Sequence, residues 1–229
     1  MRNFDNLQYG NESVVRQSLT TLADKSTSVE EYRNAFQVLG EQLGKVLTQQ
    51  LGDVPAKEMM IVCAAEDADW LAYGVEKGIG KGKLPLSVYW TSRSTIYQSG
   101  DGEKIEISPI VKAYEEPISK CSLMIVVKSI ISSSCVVKTQ LNRLIDRVHP
   151  ERIAILSPVM YKDGVPNLMK EFPDDVNRKF HFISFAVDNE RVGDEVVPGI
   201  GGMVYPRLGL GDMNEKNQYL PQMVRLRMA

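Results

Sequence analysis

Residues Leu123 to Val148 read LMIVVKSIISSSCVVKTQLNRLIDRV, an apolar run that enters a serine-rich loop and continues directly into a helical pattern. An apolar run of five residues, Leu123–Val127, predicts a strand buried on both faces. The spacing after Cys135 predicts a helix over Val136–Val148. A buried strand that feeds a small-residue loop and a helix N-terminus presents free backbone N–H groups and a positive dipole end to an anion. The loop therefore has the outline of a phosphate site. Its chemistry departs from that outline, because Ser132, Ser133, Ser134 and Cys135 stand where close backbone approach favours glycine. Lys128 and Ser129 occupy the strand end, where a carboxylate would serve a sugar or a metal.

The same strand-then-helix grammar extends in both directions. Upstream, Ser28-Val29-Glu30-Glu31 forms a capping box, and Val29, Tyr32, Phe36, Leu39, Leu43, Val46 and Leu47 recur at helical spacing until Gly52. Met59–Cys63 reads as a strand, Ala68–Lys77 as a helix and Leu86–Trp90 as a second strand. The polar segment Thr91–Glu116 carries the turn Ser99-Gly100-Asp101-Gly102 and reads as a hairpin or flap. Downstream, Arg152–Val159 and Phe180–Val187 add β runs, with a helical piece within Met160–Phe172. Alternating strands and helices predict an α/β fold with a mainly parallel sheet covered on both faces, and ligands bind such sheets beyond the C-terminal strand ends. The expected organisation is one domain over 1–229, with an N-terminal arm at 1–18, a flap at 91–117 and a glycine-rich closing segment at 188–229.

Composition narrows the classes of partner. With 229 residues, 27 basic and 29 acidic side chains and a formal charge of −2, the chain lacks the concentrated basic face of a nucleic-acid binder. No apolar stretch approaches a membrane span, and the first residues lack the basic and apolar regions of a signal peptide, so a soluble cytoplasmic protein is expected. Three cysteines without metal-ligand spacing imply reduced thiols: Cys63 and Cys121 as core residues, and Cys135 alone placed to meet a ligand. His149 and His181 have no sequence neighbours that would make them catalytic, so surface or packing roles are expected. Lys128 either snorkels to solvent or faces an anion in the crevice.

Taken together, from about Leu19 to the end, the chain resembles the uracil phosphoribosyltransferases. The resemblance rests first on LTTLADKSTSVEEYRNAFQVLGEQLGKVLTQQL at 19–51, with its Asp-Lys-x-Thr-Ser entry and Glu-Glu-Tyr-Arg helix start, and then on Met59–Gly74, Leu123–Val148 and Val197-Pro198-Gly199-Ile200-Gly201 in the family's order. It implies a type I phosphoribosyltransferase fold, a homodimer, and transfer of phosphoribose from a Mg-bound diphosphate donor to a pyrimidine. It also implies phosphate and ribose binding at Lys128, Ser129, Ser132, Ser133, Ser134 and Cys135, a pyrophosphate loop with Glu66, Asp67, Asp69 and Arg93, and a base-reading hood at Val197, Pro198, Gly199, Ile200, Gly201 and Gly202.

The departures from the family fall on those same loops. The donor loop lacks the family's leading Asp and its Ala-Thr-Gly-Gly run. Cys63-Ala64-Ala65-Glu66-Asp67-Ala68-Asp69-Trp70 replaces Pro-x-x-Arg-Ala-Gly, and Gly202 replaces the hood Asp. Removing one transition-state hydrogen bond from such a site typically costs about 3 kcal/mol, so three altered loops imply loss of the ordinary uracil reaction. The expected function is a nucleotide-sensing or protein-binding module that pairs with itself or a related subunit. The alternative is an enzyme with altered chemistry on a phosphorylated ribose or pyrimidine nucleotide, in which Glu66, Asp67 and Asp69 hold Mg. A third class, a structural partner protein, needs no small ligand. For the three acids, a solvated loop complementing the following helix dipole is favoured over a metal site. Arg93 resembles the family's flap arginine, with a simple exposed side chain favoured, and Arg207 lies near the family's hood arginine and reads equally as a salt bridge or a solvent-facing group.

Overall fold

The fold is described from a computed structural model, which covers residues 1–97, 104–133 and 135–228. The turn at 99–102 and Ser134 lie outside the described residues. Among the described residues the central sheet has six strands: β2 (Met59–Ala64), β3 (Leu86–Thr91), β6 (Ile110–Glu115), β7 (Leu123–Val127), β9 (Arg152–Leu156) and β11 (Phe180–Ile183). Their order across the sheet is β11-β9-β7-β2-β3-β6. All neighbours are parallel except β6, which runs antiparallel along the edge of β3. The chain therefore has the α/β fold with a mainly parallel sheet that its alternation of apolar runs predicts.

Strand alternation divides the core in two. Ile61, Cys63, Val88, Ile125, Val127, Ala154 and Leu156 point to one face, where they pack with α1 (Glu12–Ala23), α2 (Val29–Leu51) and the helix after β2. Met60, Val62, Met124, Val126, Ile153 and Ile155 point to the other, against Val137, Leu141 and Leu144 of α5 (Cys135–Val148), Leu168 of α6 (Gly164–Met169) and Val176 of α7 (Asp174–Asn177). Both faces are apolar because both are covered by helices. The Ser28 capping box of α2 is formed in both directions, its side chain accepting from Glu31 N while the Glu31 carboxylate accepts from Ser28 N.

The helix after β2 begins three residues earlier than periodicity predicts. It runs as α3 (Ala65–Asp67), a π-helical turn over Ala68–Ala72, and α4 (Tyr73–Ile79), closing on Gly80 at φ 72°. α2 and α4 approach through glycines. A Cβ on Gly40 would lie 2.2 Å from the Leu71 carbonyl oxygen, and one on Gly74 would lie 2.2 Å from that of Gln37. Gly44 and Gly78 repeat the pattern one turn along, so two small-residue stripes at four-residue spacing fit into each other.

The β runs predicted at 152–159 and 180–187 each divide in two. After β9 the chain turns at Ser157 and Pro158 into β10 (Val159–Tyr161). After β11 it turns at Ser184 and Phe185 into β12 (Ala186–Asp188), and after β7 it turns at Lys128 and Ser129 into β8 (Ile130–Ile131). These extensions leave the central sheet and pair with one another, and β1 (Arg2–Phe4) closes the edge of the small sheet they form, in the order β1-β12-β10-β8. The helical piece expected within 160–172 is confined to α6 because β10 takes the residues before it.

Two antiparallel hairpins complete the strands. β4 (Ser94–Tyr97) pairs with β5 (Lys104–Ile107) in the predicted flap, and β13 (Glu190–Val192) pairs with β14 (Glu195–Val197). The closing segment contains α8 (Val204–Arg207), α9 (Met213–Gln218) and α10 (Gln222–Met228).

Candidate functional site

The C-terminal ends of β2, β3 and β7 open into a cavity of about 160 Å³, roofed by the glycine-rich closing segment. From the strand ends come Glu66, Thr91, Arg93, Lys128, Ser129 and Ser132, while the closing segment supplies Val196, Ile200, Gly202, Tyr205 and Lys216. The position is the one that an open parallel sheet reserves for ligands.

The floor is a buried ionic cluster of two lysines and two carboxylates. Lys128 Nζ lies 2.6 Å from Asp67 Oδ2 and 3.6 Å from Glu66 Oε1. Lys216 Nζ lies 3.6 Å from Glu66 Oε2 and donates to the Thr91 carbonyl at 2.6 Å. Lys128 also donates to Ser129 Oγ at 3.0 Å, and Ser129 N donates to Asp67 Oδ1 at 3.1 Å. Relative exposures are 5% for Glu66, 2% for Asp67, 6% for Lys128 and 3% for Lys216, so all four charges are out of water. Buried charges persist when paired and hydrogen-bonded, and the cluster is neutral as a set.

The electrostatics follow from that arrangement. Burial alone would raise the Glu66 carboxyl, and Lys128 and Lys216 together more than offset it, holding it below the ordinary glutamate value. Burial pushes Asp67 above its ordinary value, with Glu66 adding to the rise. Burial works against the Lys128 ammonium, and Asp67 and Glu66 overcome it and raise its pKa.

This corrects the expectation of a solvated acidic loop. Glu66 and Asp67 lie in the first turn of the helix after β2 and face inward, because Lys128 and Lys216 reach them from β7 and α9. Asp69 turns away from both. Its carboxylate accepts from Gln222 N at 2.7 Å, Met223 N at 2.9 Å and the Tyr219 hydroxyl, capping α10. The three acids therefore do not converge on a metal. A Mg ion does not fit this set, since Glu66 and Asp67 already face ammonium groups and Asp69 is committed to three donors. Lys128 does not snorkel; the anion it meets is the chain's own Asp67.

In the serine-rich loop after β7, Ser129 and Ser132 reach the cavity, Ser133 is half-buried, and Cys135 opens α5. Arg93 lines the cavity and is exposed. The hood backbone is largely committed to its own anchoring. Gly199 N donates to the buried Asp188 carboxylate at 2.8 Å, and Arg2 holds both that carboxylate and the Gly199 carbonyl. The Ile200 carbonyl accepts from the Tyr32 hydroxyl at 2.9 Å. Arg207 donates to the carbonyls of Leu22, Asp24, Ile200 and Gly201 and stacks 4.1 Å over the Tyr32 ring. Arg207 is therefore a clamp between the hood and the α1–α2 connection rather than a salt bridge or a solvent-facing group. Ile200 and Gly202 are the members of the predicted base-reading loop that line the cavity; Val197 and Pro198 face solvent.

Sequence reasoning missed Lys216, Thr91, Tyr205, Asp194 and Glu195 at the cavity. A second capping box, Asp212 to Glu215, marks the start of α9 and could have placed Lys216 on a helix, but nothing local aims it at Glu66. His149 ends α5 with a left-handed φ of 44° and is exposed, and His181 is half-buried in β11, so neither enters the site.

No protein-family model matches the chain, and no curated protein matches it. Among solved structures, the AQ2163 protein from Aquifex aeolicus is similar over 85% of this chain and 93% of its own, with 13% identity and a TM-score of 0.65. Adenine phosphoribosyltransferase from Thermoanaerobacter pseudethanolicus (14% identity, 68% of this chain and 82% of its own, TM-score 0.39) and purine phosphoribosyltransferase from Pyrococcus horikoshii (15%, 56% and 74%, 0.37) are similar at TM-scores too low to bear on the fold. The chain thus shares the α/β fold of the Aquifex aeolicus protein.

Proposed function

We propose that this chain is a phosphoribosyltransferase-type scaffold whose crevice binds a phosphorylated ribose or pyrimidine nucleotide without transferring phosphoribose to uracil. The observation that carries this reading is the neutral, buried Glu66–Asp67–Lys128–Lys216 cluster at the crevice floor. A diphosphate-leaving reaction needs positive charge preorganised where the diphosphate gathers charge. Here both lysines are already neutralised by carboxylates of the same chain. Arg93 and the N-terminal turn of α5, with the Ser129 and Ser132 hydroxyls, still offer donors to a single phosphate at the cavity edge. The sequence resemblance supports the scaffold through the shared order of the N-terminal helix, strand loops and hood.

On this reading the protein acts through binding, and a second copy or a related subunit is its partner. Incubation of the full chain with uracil, phosphoribosyl pyrophosphate and Mg, with UMP measured chromatographically, is expected to yield none above the no-enzyme control. Mg-dependent UMP formation at an enzymatic rate would overturn the proposal.

A further inference from the structure

The small sheet joins two sides of the cavity. At one edge, β8 lies between Ser129 and Ser132, which both line the cavity. At the other edge, Arg2 of β1 stands opposite Asp188 of β12 in register. Asp188 is wholly buried, and its carboxylate accepts from Arg2 Nε at 2.8 Å, from Arg2 Nη2 at 2.7 Å and from Gly199 N at 2.8 Å. Arg2 Nη2 also donates to the Gly199 carbonyl at 2.7 Å. Both backbone groups of Gly199 are thereby held by one ion pair. Charge-assisted bonds from a guanidinium fork are among the strongest that a protein makes, and burial keeps water from competing for them. The turn they hold is tight: Gly199 takes a left-handed φ of 56°, and a Cβ there would lie 2.2 Å from the Val196 carbonyl oxygen. Ile200 and Gly202, just beyond it, line the cavity. The hood is thus fixed to the same sheet that carries the serine-rich loop.

We infer that Arg2 and Asp188 are positioning residues that hold the hood at a set height over the serine-rich loop and so set the affinity of the crevice for its ligand, although neither lines the cavity. This rests on the proposed nucleotide-binding role. Ordering a loose hood on binding lowers affinity in proportion to the fraction of free molecules whose hood is already in place. Arg207 separately ties Ile200 and Gly201 to the α1–α2 connection, so loss of Arg2 frees the Gly199 end of the hood while the other end stays attached.

The test compares wild type, Arg2→Ala and Gly44→Ala, the last a control whose added Cβ presses on the Val75 carbonyl between α2 and α4, outside the cavity lining. Hydrogen exchange followed by mass spectrometry reads the hood directly, since the Gly199 amide is the one that Asp188 binds. In Arg2→Ala, exchange over 199–203 is expected to rise at least about tenfold beyond any rise in α2, and UMP to bind about tenfold more weakly by calorimetry, as for a hood in place in about one molecule in ten. Gly44→Ala is expected to lower stability with no rise in hood exchange beyond that of α2 and no loss of UMP affinity. Unchanged hood exchange in Arg2→Ala, or a loss of UMP affinity no greater than in Gly44→Ala, overturns the inference. If Arg2→Ala does not melt cooperatively, Arg2→Lys is read in its place. It keeps a cation beside Asp188 but loses the planar fork that also reaches the Gly199 carbonyl, so a smaller shift of both readouts in the same direction is expected, and no shift overturns the inference. If wild type binds no UMP, the proposed function falls, and hood exchange alone decides whether Arg2 and Asp188 hold the hood.

Discussion

Lys128 shows how one residue type can carry opposite meanings. At the end of a buried strand facing the ligand crevice it reads as a cation waiting for an anion, and the anion is Asp67, held at 2.6 Å with no room for a solvent ion between them. Removing one partner of such a pair leaves a charge buried alone, which typically costs about 3–5 kcal/mol. Lys128→Met is therefore expected to lower the urea midpoint by a loss of that order, and the double change Lys128→Met with Asp67→Leu to recover a large part of it. Equal stability of wild type and the single variant would show that the cluster is not held as described. Glu115 offers a second residue-scale test. Burial pushes its carboxyl up, but Arg143, Arg147 and Tyr89 outweigh that and hold it at about 2, against an ordinary value of 4.5. A carboxyl depressed on folding adds stability that is fully present above the ordinary value and is lost as pH falls toward about 2. Wild-type stability should thus fall more steeply than that of Glu115→Gln across this window, measured by chemical denaturation at a series of pH values; parallel profiles would contradict the assignment.

At the scale of elements, the packing of α2 against α4 depends on absence of side chain. The stripes Gly40, Gly44 and Gly74, Gly78 bring helix backbones together at distances no Cβ tolerates. Backbone carbonyls cannot yield as a flexible side chain would, so Gly40→Ala is expected to destabilise by about 1–3 kcal/mol or more, seen as a lower thermal midpoint. A midpoint unchanged within error would mean that the helices lie further apart. The long elements were legible in the sequence because a single force shaped each. Met59–Ala64 and Leu123–Val127 are buried on both faces and read as unbroken apolar runs, and α2 carries both its periodicity and its cap. The small sheet was not legible. β8, β10 and β12 are two or three residues long and continue a central strand after a bend, so no periodicity separates them from the strands they leave. The α2–α4 glycines carry a four-residue spacing that is visible in the sequence but has no evident partner until the two helices are brought together.

At the scale of the molecule, the three bends after β7, β9 and β11 carry the chain from the central sheet into the small one. The first bend holds Lys128 and Ser129, and so the cavity is framed by a sheet below and a hood above. The hood is tied from the opposite end of the chain. Arg2 and Asp188 grip Gly199, and Arg207 binds the carbonyls of Leu22 and Asp24. Part of the cavity lining stood out in the sequence: Glu66, Lys128, Ser129, Ser132 and Arg93, with Ile200 and Gly202 of the closing segment, all line it. What could not be foreseen was that the acids and Lys128 are partners of one another, or that Lys216 arrives from α9 to complete the cluster, because those pairings span 61 and 150 residues of sequence. No helix among the described residues is long and apolar enough to cross a membrane.

Calorimetric titration of the full chain with UMP and with phosphoribosyl pyrophosphate, each with and without Mg, reads whether the crevice accepts a nucleotide and refuses the diphosphate donor, as proposed. Saturable binding of UMP is expected and, at the same concentrations, markedly weaker binding of phosphoribosyl pyrophosphate whether or not Mg is present. Tight, Mg-dependent binding of phosphoribosyl pyrophosphate would contradict the proposal.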